Sequence, residues 1–347
     1  METKLNSNGK RFFAPAIAAG LALAMAFTLS ACGGDGGGDD ATVSSSSGNG
    51  SQPSHEHAWG EWSVTAAPTC EVAGVKTRAC TVDNSHKDTE EVAKLDWSAW
   101  TVTTQATPTT VGLETRTCPD NASTAQTRLL YPKCGGVEYD PAEKLCDERD
   151  EKLYKYVDIN GQIWMAENLN HKVAGSKCGS VLSGNGTLSD ADAAACGKYG
   201  RLYDWNTAMG GAASSDANPS GVQGVCPSGW HLPSSAEWNV LMKFANPSCS
   251  DNAACAGAGT KLKAESGWNA GSGYIPGTDG YGFSALPGGG GYSDGYFGSA
   301  GNSGLWWSAS EGSDSNAYYR DMGYSYENAG WGSNDKSFLF SVRCLQD

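Results

Sequence analysis

Alternating apolar and polar positions predict β-strands in two parts of the C-terminal half. Residues 154–159 alternate between the two sides of an extended chain, and Asn160 and Gly161 follow them. Asn-Gly is the strongest short-range signal for a β-hairpin, so residues 162–167 are predicted to form the return strand. Residues 338–345 alternate in the same way near the end of the chain. We therefore predict an antiparallel hairpin and a strand that closes the domain.

Helical spacing marks two further segments. Residues 203–209 place three apolar side chains on one face of a short helix. Ser234 and Glu237 have the spacing of a capping box, and apolar residues follow at helical spacing over 238–245. Short strands are predicted at 305–310 and 317–321. Helices that precede a twisted antiparallel sheet predict an α+β fold for this part of the chain.

Two copies of a short unit follow one another at a spacing of 38 residues. The shared positions are Trp59, Trp62, Val64, Gly74, Thr77, Arg78 and Cys80 in the first copy, and Trp97, Trp100, Val102, Gly112, Thr115, Arg116 and Cys118 in the second. Each copy has few aliphatic residues, but a guanidinium stacked on an indole contributes about 0.5–2 kcal/mol. The pattern resembles thrombospondin type 1 repeats, with fewer cysteines. Residues 57–133 are therefore predicted to form two small Trp/Arg β repeats that act as spacers.

The first 31 residues have the features of an export signal. Three basic residues precede an uncharged run of 17 residues at 12–28, and the string Leu-Ser-Ala-Cys ends at Cys32. This string resembles a bacterial lipobox, which implies that residues 1–31 form a lipoprotein signal peptide and that Cys32 is lipidated. The alternative is a plain membrane anchor, for which a run of this length is at the short limit.

The lipobox resemblance also implies a location. Gly33 follows Cys32, whereas an aspartate there would suggest retention in the inner membrane of Gram-negative bacteria. We therefore predict an exported protein of the outer membrane or cell surface, whose partner at this end is the lipid bilayer, through acylated Cys32. Residues 32–56 are rich in glycine, serine and aspartate, so they are predicted to form a flexible tether.

Composition and charge exclude several classes of protein. The chain has 347 residues, with 46 glycines, 12 tryptophans and only 18% charged residues. This composition is unlike that of a disordered chain or a helical bundle. The net charge of −14 argues against nucleic acid as a partner, because phosphate binding needs a basic surface.

Six blocks in the C-terminal part carry a family resemblance. They are Tyr154–Asn170, Tyr199–Met209, Gly224–Trp238, Tyr281–Gly289, Trp306–Glu311 and Phe340–Asp347. In this order they resemble the Fibrobacter succinogenes major paralogous domain, which we place at 153–347. The domain is similar, more distantly, to the formylglycine-generating enzyme superfamily. That similarity implies a C-type-lectin-like fold, with a hairpin that joins both chain ends, two helices and a long loop-rich region.

The chain has 12 cysteines, and export makes disulfides the expected state of most of them. The expected pairs are Cys134–Cys146, in a connector at 134–152, and Cys178–Cys196, Cys226–Cys344 and Cys249–Cys255. Cys70 is expected to pair with Cys80, which leaves Cys118 over. In the alternative, Cys118 pairs with Cys134 and releases Cys146, and the sequence alone does not decide between the two.

The resemblance to enzymes is not accompanied by their catalytic residues. Formylglycine-generating enzymes hold copper with two cysteines near the C-terminus, and the matching region here offers only Cys344. The chain contains no H-E-x-x-H or P-loop string, and His231 lies at a helix start where a structural role is more common. We therefore predict no enzymatic activity. An oxidase-like enzyme, which requires a free thiol pair, is the less favoured alternative.

No cofactor is predicted. Calcium-dependent lectins use E-P-N or Q-P-D followed by W-N-D, and none of these strings occurs in the chain. A structural calcium ion bound by the loops stays open as an alternative.

Aromatic residues are concentrated in the glycine-rich segments near the C-terminus. The ligand-binding candidates are Tyr292, Tyr296, Trp307, Tyr318, Tyr319, Tyr324, Tyr326 and Trp331. Aromatic side chains supply a large contact area at low entropic cost, and sugar rings have apolar faces that stack on them. We therefore predict a non-catalytic cell-surface protein that binds polysaccharide. The alternative is a structural or protein-interaction module of the cell envelope, which burial of these aromatic residues would favour.

Overall fold

The computed structural model describes residues 57–119, 121–191 and 194–347. The predicted signal peptide at 1–31 and tether at 32–56, with Cys32, lie outside the described residues. Within the described part, no helix has both the length and the apolar character needed to cross a membrane.

The two repeats form two separate three-stranded antiparallel sheets. The first contains β1 (Ser63–Ala66), β2 (Gly74–Ala79) and β3 (Lys87–Val92), and the second contains β4 (Thr101–Thr104), β5 (Gly112–Cys118) and β6 (Asn121–Leu130). The Arg78 guanidinium lies 5.1 Å and 4.5 Å from the ring centroids of Trp59 and Trp62. Arg116 lies 4.8 Å from both indoles of the second repeat. The predicted Trp–Arg stacks are therefore present in both repeats.

A disulfide joins the two repeats and corrects one expected pairing. Cys70 is bonded to Cys118, 48 residues away, and not to Cys80. The Cys70 N–H also donates to Sγ of Cys118 at 3.1 Å, and the N–H of Leu95, between the two repeats, donates to the carbonyl oxygen of Thr69 at 3.0 Å. The alternative that placed Cys118 with Cys134 is also excluded, because Cys134 is bonded to Cys146.

A short connector follows the repeats. It contains β7 (Lys133–Cys134), β8 (Val137–Glu138) and β9 (Lys144–Asp147), and the disulfide Cys134–Cys146 closes it as expected. The Tyr139 hydroxyl donates to the carbonyl oxygen of Pro108 at 2.8 Å, which ties the connector to the second repeat.

A five-stranded sheet brings both ends of the C-terminal domain together. Its strands, in spatial order, are β15 (Trp230–His231), β22 (Leu345–Gln346), β11 (Gln162–Met165), β10 (Lys152–Ile159) and β9. The predicted hairpin is present: Ile159 pairs with Gln162 across Asn160 and Gly161, which have φ of 58° and 82°. Positive φ at both positions is what a two-residue hairpin turn of this kind requires.

Two further sheets carry the glycine-rich part of the chain. One contains β14 (Leu202–Tyr203), β21 (Phe340–Ser341), β18 (Ser303–Glu311), β19 (Asn316–Gly323) and β20 (Ala329–Asp335), in that order. The other contains β12 (Cys178–Gly179), β13 (Gly184–Ser189), β17 (Tyr296–Ala300) and β16 (Gly290–Gly291). Strands β18 and β19 include the two short strands predicted at 305–310 and 317–321.

The predicted α+β class, and the C-type-lectin-like fold with it, is wrong. The described residues form 22 strands but only four short helices: α1 (Ala194–Tyr199), α2 (Trp205–Met209), α3 (Ser235–Ala245) and α4 (Ala258–Leu262). The fold is therefore mostly β. The prediction underestimated the strands because glycine-rich segments lack apolar alternation, although glycine in a strand often marks a position that another backbone approaches closely. The capping box is present at α3: Ser234 Oγ accepts from the Glu237 N–H, and the Glu237 carboxylate accepts from the Ser234 N–H.

The core contains large indoles and four buried cations. Trp164, Trp238, Trp306 and Trp307 are fully buried, and so are Arg201, Lys263, Arg320 and Arg343. The cations bind loop carbonyls: Lys263 Nζ, for example, donates to the carbonyl oxygens of Ile275, Gly323 and Tyr326 at 2.7, 3.0 and 2.9 Å. Burial lowers the pKa of Lys263 to about 8. These cations hold the loops against the sheets.

Three disulfides stabilise the C-terminal domain. They are Cys178–Cys196, Cys226–Cys344 and Cys249–Cys255, the pairs expected from the sequence. The longest of them joins residues 118 positions apart and fixes the closing segment of the chain to the loop before β15.

Candidate functional site

Two exposed tyrosines stand at the ends of a tight turn between β16 and β17. The Tyr292 N–H donates to the carbonyl oxygen of Tyr296 at 2.9 Å, and the Gly295 N–H donates to that of Tyr292 at 3.0 Å. Gly295 has φ of 89°, which favours glycine at this position. The turn is stabilised further by Asp294, whose Oδ1 accepts from the Tyr296 N–H at 2.9 Å. Both rings are therefore held on a short, well-bonded hairpin.

The two tyrosine rings pack against a third aromatic side chain. The ring centroids of Tyr292 and Tyr296 are 5.4 Å apart, and those of Tyr292 and Phe338 are 4.8 Å apart. Tyr292 is 41% exposed and Tyr296 is 43% exposed, whereas Phe338 is half-buried. We call these three residues the tyrosine surface. Phe338 anchors it, because its ring lies 6.3 Å from that of the buried Phe340.

Glycines leave space beside the tyrosine surface. A cleft of about 120 Å³ is lined by Gly290, Gly291 and Gly298 together with Tyr292 and Phe338, among others. A Cβ atom at Gly298 would lie 2.9 Å from Cε1 of Tyr296, so a side chain there would displace the tyrosine ring. The position of the ring therefore depends on a glycine in the neighbouring part of β17.

A larger polar cleft lies on the other side of the segment that carries Phe338. Its volume is about 640 Å³, and its lining includes Lys177, Asp204, Asn206, Ser293, Asp314, Asp335 and Lys336. We call it the aspartate cleft. Side chains alternate along an extended segment, so Phe338 and Phe340 line the glycine-lined cleft while Ser337 and Leu339 line the aspartate cleft. Ser293, the neighbour of Tyr292, reaches the aspartate cleft and joins the two regions.

The other predicted ligand-binding residues lie elsewhere. Trp307 is completely buried and its indole N–H donates to the carbonyl oxygen of Tyr203 at 2.9 Å, so it belongs to the core and not to an exposed surface. Tyr319 and Tyr324 are partly buried and pack against the core. Tyr318 stacks on Trp331 with ring centroids 4.8 Å apart. Tyr326 is 62% exposed and lies just before β20.

His231 is held between two carboxylates. Its Nε2 lies 2.8 Å from Oε1 of Glu237, and its Nδ1 lies 2.7 Å from Oδ1 of Asp347. Burial lowers the pKa of His231, but hydrogen bonds and charges of Glu237 and Asp347 outweigh that effect, so the pKa is raised above its ordinary value of 6.5. This arrangement ties the last residue of the chain to α3, which agrees with the structural role expected for His231.

Asp147, Asp150 and His171 form the group of described side chains whose spacing would suit a metal ion. Their ligand atoms lie within 4.8 Å of one another. However, both oxygens of Asp147 accept hydrogen bonds from Arg149, at 2.8 and 2.7 Å. Lys152 Nζ also lies 3.1 Å from Oδ2 of Asp150. The carboxylates are thus matched by cations of the chain itself, as in a structural ion-pair network.

The fold and this surface define a disulfide-bridged, mostly β domain with exposed aromatic residues, preceded by two small β repeats. Residues 157–346 match the model of the Fibrobacter succinogenes major domain. The chain belongs to this family, and the resemblance found in the six sequence blocks is confirmed. Comparisons with curated proteins and with solved structures give no match.

Proposed function

We propose that the protein binds polysaccharide through the tyrosine surface, without catalysis. The observation that carries the proposal is the pair Tyr292 and Tyr296, each more than two-fifths exposed and fixed by a tight turn and by Phe338. Exposing two aromatic rings to water costs free energy, and two polar side chains at the same positions would avoid this cost. Tyrosine combines an apolar face with a polar tip, which matches the apolar faces and hydroxyl edges of sugar rings.

Polar side chains next to the tyrosine surface complement this role. The aspartate cleft presents the amide of Asn206 and the carboxylates of Asp314 and Asp335, which can bond to sugar hydroxyls. Carbohydrate sites need a few such groups beside an apolar platform, because hydroxyls must exchange their bonds to water for bonds to protein.

Display at the cell surface is part of the proposal. The lipobox-like string before Cys32 supports attachment of the chain to the outer membrane or cell surface by acylation. The tether at 32–56 and the two Trp/Arg repeats would then separate the binding domain from the bilayer. No step of this proposal requires a cofactor or nucleic acid.

Absence of catalysis is supported by the state of the residues that could react. Cys344 is bonded to Cys226, so the cysteine that matches an oxidase-like copper pair is not available as a thiol. His231 has both ring nitrogens engaged by carboxylates.

The test is retention of the full-length chain, purified in detergent, on insoluble cellulose, xylan and peptidoglycan. The wild-type chain should be retained on at least one of them. Tyr292→Ala combined with Tyr296→Ala should weaken binding by about 2 kcal/mol or more, roughly thirtyfold, because two stacking rings are lost. Parallel samples with calcium and with a chelator show whether a metal ion takes part.

Tyr326→Ala is the matched control. Tyr326 is exposed, but it lies at the opposite end of the paired strands β19 and β20 from Phe338. Tyr326 is near the end where Met322 pairs with Ala329, and Phe338 follows the end where Asn316 pairs with Asp335. These ends are separated by roughly 20 Å of strand, so the control should bind normally. Equal retention of the wild-type chain and the folded double variant would refute the proposal.

A protein-interaction module of the cell envelope is the second candidate. It is favoured by the burial of several predicted aromatic residues, since Trp307 is in the core and Tyr319 and Tyr324 pack against it. If the wild-type chain binds none of the polysaccharides, this second candidate function is favoured.

A further inference from the structure

The surroundings of the tyrosine surface carry an excess of negative charge. Asp294 lies within the turn between the two tyrosines, and Asp314 and Asp335 line the adjoining aspartate cleft together with Ser293. Among the described residues, none of these three carboxylates forms an ion pair. The Ser337 N–H donates to Oδ1 of Asp335 at 2.8 Å, and hydrogen bonds from Ser337 lower the pKa of this carboxyl, so it is ionised at neutral pH.

The two lysines of the aspartate cleft do not offset these charges. Lys177 forms an ion pair with Asp190. Lys336 forms one with Glu311 at 2.6 Å, and its ammonium group also donates to the backbone carbonyl oxygen of Asp314 at 3.0 Å and lies 4.5 Å from the ring centroid of Trp205. Each ammonium group is thus matched by a carboxylate outside the set of three aspartates. Among the described residues, the carboxylates of Asp294, Asp314 and Asp335 therefore have no ion-pair partner of their own, in a chain whose net charge is already −14.

We propose that the ligand of the tyrosine surface is an uncharged polysaccharide, and that Asp294, Asp314 and Asp335 exclude polysaccharides that carry carboxylate groups. This inference rests on the proposed function. A carboxylate on a sugar bound to the tyrosine surface would come close to Asp294, at separations within the Debye length of about 8 Å at physiological ionic strength. Juxtaposed like charges disfavour a wrong partner, while the aspartates can still accept hydrogen bonds from neutral hydroxyls.

The experiment compares soluble polymers that share a backbone and carry either neutral or charged substituents. Hydroxyethyl cellulose is paired with carboxymethyl cellulose, and neutral arabinoxylan with glucuronoxylan, and each is titrated into the full-length chain in detergent. If the chain binds the neutral polymer of a pair, its affinity for the charged polymer should be about tenfold lower at about 20 mM salt. At about 500 mM salt the two affinities should differ by less than about twofold.

Isosteric variants locate the effect. Asp294→Asn, Asp314→Asn and Asp335→Asn together remove three charges but retain oxygens that accept from the Tyr296 and Ser337 N–H groups. The readout is the ratio of the two affinities: the triple variant should gain affinity for the charged polymer relative to the neutral one, so that the tenfold difference between them falls below about twofold. The control changes net charge equally at exposed positions elsewhere, with Glu91→Gln, Asp96→Asn and Glu265→Gln, and it should behave as the wild-type chain.

Each outcome decides a different question. Equal affinity of the wild-type chain for both members of a pair, or no change in the triple variant, overturns the exclusion of charged ligands and leaves the proposed function standing. Binding of a charged polymer without binding of its neutral partner overturns this inference alone. Failure to bind any polysaccharide, neutral or charged, overturns the proposed function and this inference with it. An equal gain in the control variant would assign the effect to net charge and overturn the role of the three aspartates.

Discussion

His231 shows how one buried side chain fixes two distant parts of the chain. Its ring bridges Glu237 at the start of α3 and Asp347 at the end of the chain. Glu237 is also buried, and its other oxygen accepts from the N–H groups of Ser234 and Ser220 at 2.9 and 3.1 Å. A protonated imidazole therefore neutralises a carboxylate that is desolvated, and the charge-assisted bonds are stronger than neutral ones.

His231→Gln should lower the free energy of unfolding by about 3 kcal/mol, because it leaves the Glu237 charge buried without its partner. The pKa of His231 is raised in the folded state. Its stabilising contribution is therefore complete below the unfolded pKa of about 6.5 and is lost as the pH rises through the folded pKa. Denaturant unfolding of the wild-type and variant chains at about pH 6 and pH 9 measures this, and the stability difference between them should be larger at the lower pH.

A second variant separates the two carboxylates. Asp347→Asn removes the exposed partner only, so its effect on unfolding should be smaller than that of His231→Gln. A stability difference between wild type and His231→Gln that does not change with pH would contradict the charged bridge.

Local residue patterns were reliable where the partner is close in sequence. Asn160 with Gly161, and Ser234 with Glu237, perform the roles that their short spacing predicts. The sequence did not identify the buried cations: Arg343 donates to Asn168, 175 residues away, and burial lowers its pKa to about 9. Arg343 lies between β21 and β22, and a single arginine in such a segment carries no sequence signal of the carbonyl or amide partner that the tertiary fold brings to it.

At the scale of elements, glycine decides how closely neighbouring segments approach. A Cβ atom at Gly330 would lie 2.2 Å from Oδ1 of Asp321, and one at Gly332 would lie 2.9 Å from the Tyr319 hydroxyl oxygen. These glycines of β20 let the side chains of β19 lie across the strand. Gly298 has the same role for Tyr296 in β17. Segments of this kind have no alternating pattern, which is why their strands were not predicted.

Gly298→Ala should therefore weaken polysaccharide binding with little change in stability. The added methyl group meets the far end of the Tyr296 ring, which can rotate away at small cost but then leaves the tyrosine surface. We expect affinity to fall about fivefold, or about 1 kcal/mol, while the thermal midpoint moves by only a few degrees.

The control for this variant is Gly197→Ala in α1. Nothing lies within 4 Å of a Cβ atom at this position, so the substitution should leave binding unchanged and slightly favour the helix. Unchanged binding by Gly298→Ala would show that the position of the Tyr296 ring is not important for the ligand.

At the scale of the whole molecule, the disulfides show which long-range contacts could be predicted from the sequence and which could not. Four disulfides join cysteines in the pairs expected, whereas Cys70–Cys118 crosses from one repeat to the next. An internal repeat suggests that each unit forms its own disulfide, so the repeated pattern gives no sign of a disulfide between the two units. The family was recognisable from six blocks, but the mostly β architecture depends on pairing between distant glycine-rich segments.

The binding account depends on the same long-range assembly. Tyr292 after β16, Tyr296 of β17 and Phe338 before β21 meet at the tyrosine surface, and the distance in sequence between Phe338 and the two tyrosines hides that contact. Of the eight aromatic candidates, the structure brings Tyr292 and Tyr296 together beside a residue that was not among them, Phe338. The alternating pattern at 338–345 predicted that Phe338 is part of a strand, but it did not show which aromatic ring Phe338 packs against.

The most direct measurement is nuclear magnetic resonance of the chain with labelled tyrosine rings, titrated with a soluble, neutral oligosaccharide of the polymer that retains the protein. Tyr292→Phe and Tyr296→Phe assign the two ring signals. The account predicts that these signals shift with ligand, because the sugar lies against the rings, while the signal of Tyr326 stays in place. Shifts confined to Tyr318 or Tyr326, or no shift at either turn tyrosine at saturating ligand, would contradict the binding site.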